Sequence, residues 1–250
     1  MIINKESVSK HFSKASKTYD AQASFQAYMA QELIKMLNSK EYKNILEIGC
    51  GTGYLSSLLL DKFNPDSLLL NDLSENMLTL CKEKFKHNDK VSFLLKDAES
   101  LSFSDKNLYS LIISNACFQW LKDLEEALMN YKSALSKNGI LAFTTFGKSN
   151  FKELKAVSGL GLDYLDKQRL ESILCSIGAK YKLEEIEAKT HYKDALSMLK
   201  SLKATGVSGL SKSVWTRQKL QSFISDYQRQ YTDNLGCYLT WNVFYVVASF

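Results

Sequence analysis

The stretch Glu47-Ile48-Gly49-Cys50-Gly51-Thr52-Gly53 places one acid and three alternating glycines directly after the apolar run Asn44 to Ile48. A glycine turn between a buried strand and a helix lets backbone approach a ligand that a side chain would hold off. The dinucleotide fingerprint G-x-G-x-x-G is not met, because the sixth position counted from Gly49 is Tyr54. Asp72 stands 19 residues beyond Gly53, at the end of a second apolar run. A carboxylate at such a strand end can accept both hydroxyl protons of a ribose. A further acid, Asp97, lies in Lys96-Asp97-Ala98-Glu99 after a third run. A glycine turn or a strand-end aspartate is by itself most often structural. The three together, in this order, mark one ligand site on an α/β sheet.

The elements that must position these residues alternate. Residues 21–38 carry Phe25, Met29, Leu33, Met36 and Leu37 at helical spacing. Strands are expected at Asn44–Ile48, Ser67–Leu73, Val91–Leu95, Leu108–Ser114 and Ile140–Phe146. Between them, helices are expected at Tyr54–Phe63, from Ser74 as cap to Phe85, and from Asp123 with Glu126 as a capping box, carrying Leu124, Leu128, Tyr131 and Leu135 to a stop at Asn138-Gly139. Beyond residue 150 the pattern loosens. Helices are expected at Arg169–Ser176, Ala195–Ala204 and Arg217–Arg229, and strands at Lys182–Lys189 and Val243–Ser249. The class is therefore α/β, a doubly wound, mostly parallel seven-stranded sheet with helices on both faces. Residues 1–250 read as a single domain, with an N-terminal helical cover over 1–40 and a helical lid inserted at 194–236 over the carboxyl edge of the sheet.

Composition bounds the rest. The 250 residues are 45% apolar and 24% charged, which excludes a disordered, collagen-like or coiled-coil chain. Five scattered cysteines without a C-x-x-C pair argue against a disulfide framework or a zinc site, and His11, His87 and His191 are too dispersed for a histidine-rich metal centre. No metal is expected. Met1 to Glu6 lacks the apolar core of a signal peptide, and the uncharged run from Leu235 to Phe250 is shorter than the roughly 20 residues that span a bilayer. The expected location is the cytoplasm, with no membrane partner. The net charge of +5 is unevenly spread. Residues 189–219 hold seven bases, Lys200, Lys203, Lys212 and Arg217 among them, against the single acid Asp194. That segment is either a solvated helical face or a docking surface for an acidic partner. Nucleic acid is not expected, since no stacking or base-reading motif stands out.

The pattern E-x-G-x-G-x-G resembles the first motif of class I S-adenosylmethionine-dependent methyltransferases, whose Rossmann-like fold matches the order of elements. The resemblance implies that Glu47, Gly49, Gly51 and Gly53 form the turn around the amino-acid half of S-adenosylmethionine. It implies Asp72 on the ribose, Asp97 and Ala98 at the adenine amino group, Met77 as apolar cover, and Asn115 beside the cofactor. Other stretches are more specific. Thr18-Tyr19-Asp20-Ala21-Gln22-Ala23 with Gln26, Ser114-Asn115-Ala116-Cys117-Phe118-Gln119-Trp120, Ala142-Phe143-Thr144-Thr145-Phe146, the run Asp194 to Gly206, Thr216-Arg217 and Leu239-Thr240-Trp241 resemble the malonyl-[acyl-carrier protein] O-methyltransferases of biotin synthesis. The likeness extends over nearly the whole chain. Cys117-Phe118 and Asn71 depart from that pattern.

This resemblance implies methyl transfer from S-adenosylmethionine to the free carboxylate of a malonyl thioester on acyl carrier protein, with S-adenosylhomocysteine as coproduct. Tyr19, Gln119 and Trp120 are the catalytic candidates, and Lys200, Lys203 and Arg217 the candidates for docking the acidic carrier. A carboxylate with a pKa near about 4 is already ionised at neutral pH, so no general base is required. Each residue also has a plainer role open to it: Tyr19 as packing, Gln119-Trp120 as the cap of a strand, Cys50 as a small filler, His191 as structural. Lys200 or Lys203 can alternatively hold the malonyl carboxylate itself. The alternatives in function are a methyltransferase of the same fold acting on a free carboxylic acid or quinone precursor, and a non-catalytic cofactor-binding module.

Overall fold

A computed structural model of the chain describes residues 4–16, 18–37, 41–103, 108–206 and 215–250. In chain order the elements are α1 (Lys5–Ala15), α2 (Tyr19–Gln22), α3 (Ser24–Met36), β1 (Asn44–Ile48), α4 (Tyr54–Phe63), β2 (Ser67–Asp72), α5 (Glu75–Lys84), β3 (Val91–Leu95) and β4 (Tyr109–Ser114). They continue with α6 (Leu124–Ala134), β5 (Leu135–Phe146), α7 (Lys152–Ser158), α8 (Lys167–Ser176), β6 (Lys180–Tyr192), α9 (Ala195–Ala204), α10 (Arg217–Gln230), β7 (Thr232–Asp233) and β8 (Gly236–Ser249). The sheet runs β3-β2-β1-β4-β5-β8-β6, with the two-residue β7 paired to β8. β1 to β5 are mutually parallel, and β8 is antiparallel to both β5 and β6. Seven strands make the continuous path, as the alternation of elements implies.

The sheet is buried on both faces, and the strands show why. Successive side chains point to opposite sides. Ile45, Leu68, Leu70, Leu111 and Ile113 enter the core under α3, α4 and α5, while Leu46, Ile48 and Ile112 enter the other core under α6 and α8. Strands covered on both faces need continuous apolar runs rather than alternating ones, which is what Leu68-Leu69-Leu70 and Leu111-Ile112-Ile113 supply.

The largest differences from the sequence expectation are three, while β6 is longer at both ends and α8 starts two residues earlier. The helix at 124 stops at Ala134 rather than at Asn138-Gly139, and Leu135 already pairs with Tyr109, with a register irregularity before Leu111. The stripe expected as one helix over 21–38 is two helices broken at Ala23, and a separate helix, α1, precedes them. α1 is capped by Asn4, whose side chain accepts from the Ser7 amide at 3.0 Å. The last strand begins at Gly236 rather than Val243, because Cys237 to Asn242 continue the pairing with β6.

The order of strands reverses between β1 and β4. In open α/β sheets this crevice, beyond the carboxyl ends of the strands, is where ligands bind. Gly49, Asp72, Asp97 and Asn115 all follow or end strands on that edge. Of the segment expected as a lid, α9 touches α2, α10, β6 and β8; residues 207–214, which include Lys212, lie outside the described residues.

Candidate active site

Two neighbouring cavities share Tyr19, Gly49, Gly51 and Asn115. The first also reaches Asp72, Met77, Asp97, Ala98 and Trp120; the second reaches Glu47, Asp20, Gln26 and Thr52. Together they form one groove across the ends of β1, β2 and β4. Gln119 and Gly53 line neither cavity.

The glycine turn is left-handed at all three positions, with φ of +70° at Gly49, +55° at Gly51 and +80° at Gly53. Their surroundings differ. A Cβ at Gly49 would lie 2.5 Å from the Cys117 sulfur, and one at Gly53 would lie 2.7 Å from the Phe85 ring. A Cβ at Gly51 meets nothing within 4 Å. Gly49 and Gly53 thus let the turn pack against its own protein, while Gly51 opens directly onto free space. That open cradle is where a ligand fits, and a side chain there would fill it.

Asp72 faces the same space. Its carboxylate accepts from the Gly51 amide at 2.9 Å and from the Ser74 amide at 2.7 Å, which fixes its orientation. Burial raises its pKa above the ordinary carboxylate value, a rise that the backbone donors of Ser74 and Gly51 only partly offset. Ser74 in turn caps α5, placing Met77, 1% exposed, beneath the cavity. Asp97 ends the next turn and accepts from Lys5 Nζ at 3.1 Å; Lys5 also reaches Glu99 at 2.6 Å. Ser13 of α1 bonds Ser74 at 2.9 Å, so α1 is tied down at both ends. Lys5, Val8 and Phe12 of α1 line the first cavity opposite Asp72.

Sequence reading missed Lys5, Val8 and Phe12. Their signal was present: an Asn cap at position 4, then apolar residues at Val8, Phe12 and Ala15. It also missed the Asp20–Thr52 hydrogen bond of 2.5 Å, which joins α2 to the glycine turn.

Tyr19 is half-buried between the two cavities and lies 6.3 Å, ring to ring, from Phe12. Burial pushes its hydroxyl well above the ordinary phenol range, with the charges of Asp72 and Asp20 adding to the shift. The hydroxyl stays protonated at neutral pH and acts as a donor. Burial, with Asp72 adding, likewise pushes the Cys117 thiol up to about 12, and Cys50 is raised well above a normal thiol. Neither supplies a thiolate. Trp120 is 8% exposed and meets Phe12 edge-on at 5.9 Å. Gln119 donates to the Ala116 carbonyl at 2.6 Å. The Gln119 Oε1 and Trp120 Nε1 atoms are buried without a hydrogen-bond partner among the described residues. Asn115 is bound on both sides, donating to the Gln26 carbonyl at 2.9 Å and accepting from Thr144 at 2.7 Å. Lys200 and Lys203 are exposed on α9, and Arg217 is exposed at the start of α10. None of the three lines either cavity. His191 bonds Asp233 at 3.0 Å, away from the groove.

A methyltransferase domain family matches residues 45–139, the segment that holds the glycine turn, Asp72, Asp97 and Trp120. Among solved structures, the YcgJ protein from Bacillus subtilis superposes with a TM-score of 0.68 at 11% identity, over 89% of this chain and 97% of that one. The phosphoethanolamine N-methyltransferase 2 of Haemonchus contortus, solved with S-adenosyl-L-methionine, superposes with a TM-score of 0.62 at 18% identity, over 95% of this chain and 57% of that one. Fold and glycine-turn site define a class I methyltransferase of the S-adenosylmethionine-dependent kind. The curated relatives narrow this: the malonyl-[acyl-carrier protein] O-methyltransferase of Bacteroides thetaiotaomicron is 36% identical over 99% of this chain and 98% of its own length, and that of Calditerrivibrio nitroreducens is 34% identical over 96% and 94%. This chain belongs to the malonyl-[acyl-carrier protein] O-methyltransferase family.

Proposed function

We propose that the chain methylates the free carboxylate of a malonyl thioester carried on acyl carrier protein, using S-adenosylmethionine, and that the ester formed enters pimelate and biotin synthesis. One observation supports the carboxylate acceptor most directly. The acceptor side of the groove offers Tyr19 and Cys117, both held protonated, and the aromatic walls Phe12 and Trp120. Every carboxylate lining the groove is already engaged: Asp20 by Thr52, Asp72 by Gly51 and Ser74, Asp97 by Lys5, Glu47 by Ser56. A groove whose described carboxylates are all engaged suits an acceptor that arrives ionised and needs no proton removed, as a carboxylate does at neutral pH.

The residues that would hold S-adenosylmethionine are Gly49, Gly51 and Glu47 at its amino-acid half, Asp72 at its ribose, and Met77, Asp97 and Ala98 at its adenine, with Gly53 shaping the turn and Asn115 joining the two cavities. Bound there, the cofactor supplies a methyl group on a positively charged sulfur. Tyr19 donates its hydroxyl proton to the acceptor carboxylate and fixes one oxygen in line. Trp120, with Gln119 behind it, excludes water, which favours a transfer in which opposite charges disappear. The segment 1–40 acts as the cover and 194–236 as the lid, meeting where Thr18 donates to the Ala204 carbonyl at 3.1 Å. We place the reaction in the cytoplasm, where free thiols such as those of Cys50, Cys81 and Cys237 persist. Transfer of a labelled methyl group to malonyl-carrier protein, with S-adenosylhomocysteine measured as coproduct, tests the assignment.

Two results are expected at this site. Tyr19→Phe removes one hydroxyl and no packing. It should lower kcat by about ten-fold or more, the loss of one hydrogen bond to a charged group, at unchanged melting temperature. Unaltered turnover at saturating substrate would make Tyr19 a packing residue. Reversing Lys200, Lys203 and Arg217 to Glu should raise KM for malonyl-carrier protein and leave a short malonyl thioester much less affected. Added salt should imitate the reversal for the carrier substrate alone, since exposed charges are screened over about 8–10 Å. Equal losses on both substrates would move one of these bases into contact with the malonyl carboxylate.

A further inference from the structure

Gln26, 6% exposed, lines the second cavity of the groove on one side and a third cavity on the other. The third cavity lies between the α2–α3 corner, the end of β6, and α9. Its polar walls are the carboxamides of Gln22 and Gln26, the hydroxyls of Ser24, Thr190, Ser201 and Thr205, and the side chains of His191 and Tyr192. Its apolar wall is Trp241, 4% exposed, stacked on Phe25 at 4.3 Å and held in place by its Nε1–H donating to Thr190 at 2.9 Å. At the rim, Gln22 and Ser24 are exposed.

Among the described residues no lysine or arginine lines this cavity, and its one imidazole, His191, is already bonded to Asp233 at 3.0 Å, which is not the lining of a carboxylate or nucleotide site. Side-chain amides and hydroxyls facing an indole suit a ligand that alternates amide groups with aliphatic carbon. The mouth borders α9, which turns Met198, Ser201, Leu202 and Thr205 inward, spacings of three and four that share one helix face, while Lys200 and Lys203 project from its outer face. The opposite approach to the groove is closed by α1, tied through Lys5 to Asp97 and Glu99 and through Ser13 to Ser74. An acceptor on a long arm therefore has its way in past Gln26.

We propose that the third cavity holds the phosphopantetheine arm of the acceptor. Its phosphate stays at the mouth beside the exposed Gln22 and Ser24, its two amides lie against Gln22, Gln26 and the hydroxyls, and its thioester end passes Gln26 toward Tyr19. The proposal rests on the reading of the acceptor as a carrier-bound thioester and adds where that carrier's arm runs.

The test fills the cavity without touching the groove. Ser201→Trp places an indole in it from α9, and Gln22→Trp does so from the exposed rim. Leu196→Trp adds the same bulk to an exposed site of α9 and serves as control. Calorimetric titration with 4′-phosphopantetheine, at saturating S-adenosylhomocysteine, should show binding to the unaltered chain and to Leu196→Trp, and binding weakened by at least about ten-fold, or 1.4 kcal/mol, in the two filled variants. In turnover, both filled variants should raise KM for malonyl-carrier protein while keeping their rate on a malonyl S-methyl thioester, which has no arm. Absence of phosphopantetheine binding to the unaltered chain, equal binding by filled and control variants, or equal loss on armed and armless substrates overturns the proposal. A chain that binds phosphopantetheine in this cavity yet methylates no malonyl thioester would instead overturn the proposed reaction and leave the arm site standing.

Discussion

Gly51→Val is expected to fold and to bind no S-adenosylmethionine. Its Cβ would meet no atom within 4 Å apart from its chain neighbours, so the native packing can accept the branch there. The cost to the fold is the positive φ of +55°, about 1–2 kcal/mol for a residue with a Cβ, and more for a branched one. The cost to the ligand is exclusion, because the branched side chain occupies the cradle. Gly51→Ala should weaken binding in the same direction by less. Asp72→Ala should lose about 1.5–3 kcal/mol of cofactor affinity, the range for hydrogen bonds to a charged group. Calorimetry with S-adenosylmethionine reads all three, and thermal melting confirms that each variant is folded. Gly49→Ala makes the contrast: a Cβ 2.5 Å from the Cys117 sulfur should lower the melting temperature itself. Full cofactor affinity in Gly51→Val would remove the ligand from this turn.

That contrast also shows what the chain discloses without its coordinates. Spacing marks Gly49, Gly51 and Gly53 as one turn, and the parallel strands before and after it are plain from their apolar runs, since strands covered on both faces carry mostly apolar residues, with polar ones such as Glu47 and Asn71 kept to their carboxyl ends. Spacing does not separate the glycines, because the separation lies in Cys117 and Phe85, residues from other elements that pack against two of the three. The same limit hid Lys5, whose partner Asp97 is 92 positions away. It hid the first half of β8 as well. Thr240 and Asn242 interrupt the apolar pattern, yet both are buried because the Thr240 hydroxyl donates to Glu153 and the Asn242 side-chain amide donates to Glu185 at 2.9 Å. A polar residue in a buried strand is stable once bonded, and its bond runs to another element, α7 or β6, that periodicity does not register. The early end of α6 has a different cause: Leu135 is apolar and fits the helical stripe, but pairing with Tyr109 draws it into β5.

Glu47 carries the other large expected effect. It is 1% exposed, at the end of β1, and its hydrogen-bond donor is the Ser56 hydroxyl at 2.6 Å. Burial raises its pKa from 4.5 to about 8, opposed by the Ser56 bond and by Lys84, with the charge of Asp72 adding to the rise. A carboxyl whose pKa is higher folded than unfolded favours the folded chain below pH 4.5 and loses that advantage as pH rises toward about 8. Glu47→Gln keeps the shape and removes the ionisation. The stability of the variant relative to the unaltered chain should therefore climb by about 1.4 kcal/mol for each pH unit across that window, read by denaturant unfolding at a series of pH values. Parallel curves would mean that Glu47 is ionised throughout. Ligand binding should report the same group from the other side. Glu47 lines the second cavity with Gly49 and Gly51, where the amino-acid half of S-adenosylmethionine is placed. A positive charge arriving there favours the carboxylate, so binding at pH 7 should release a proton. The calorimetric enthalpy should then change with the ionisation enthalpy of the buffer for the unaltered chain and stay constant for Glu47→Gln. Buffer-independent binding by the unaltered chain would show that the cofactor's charge does not reach Glu47.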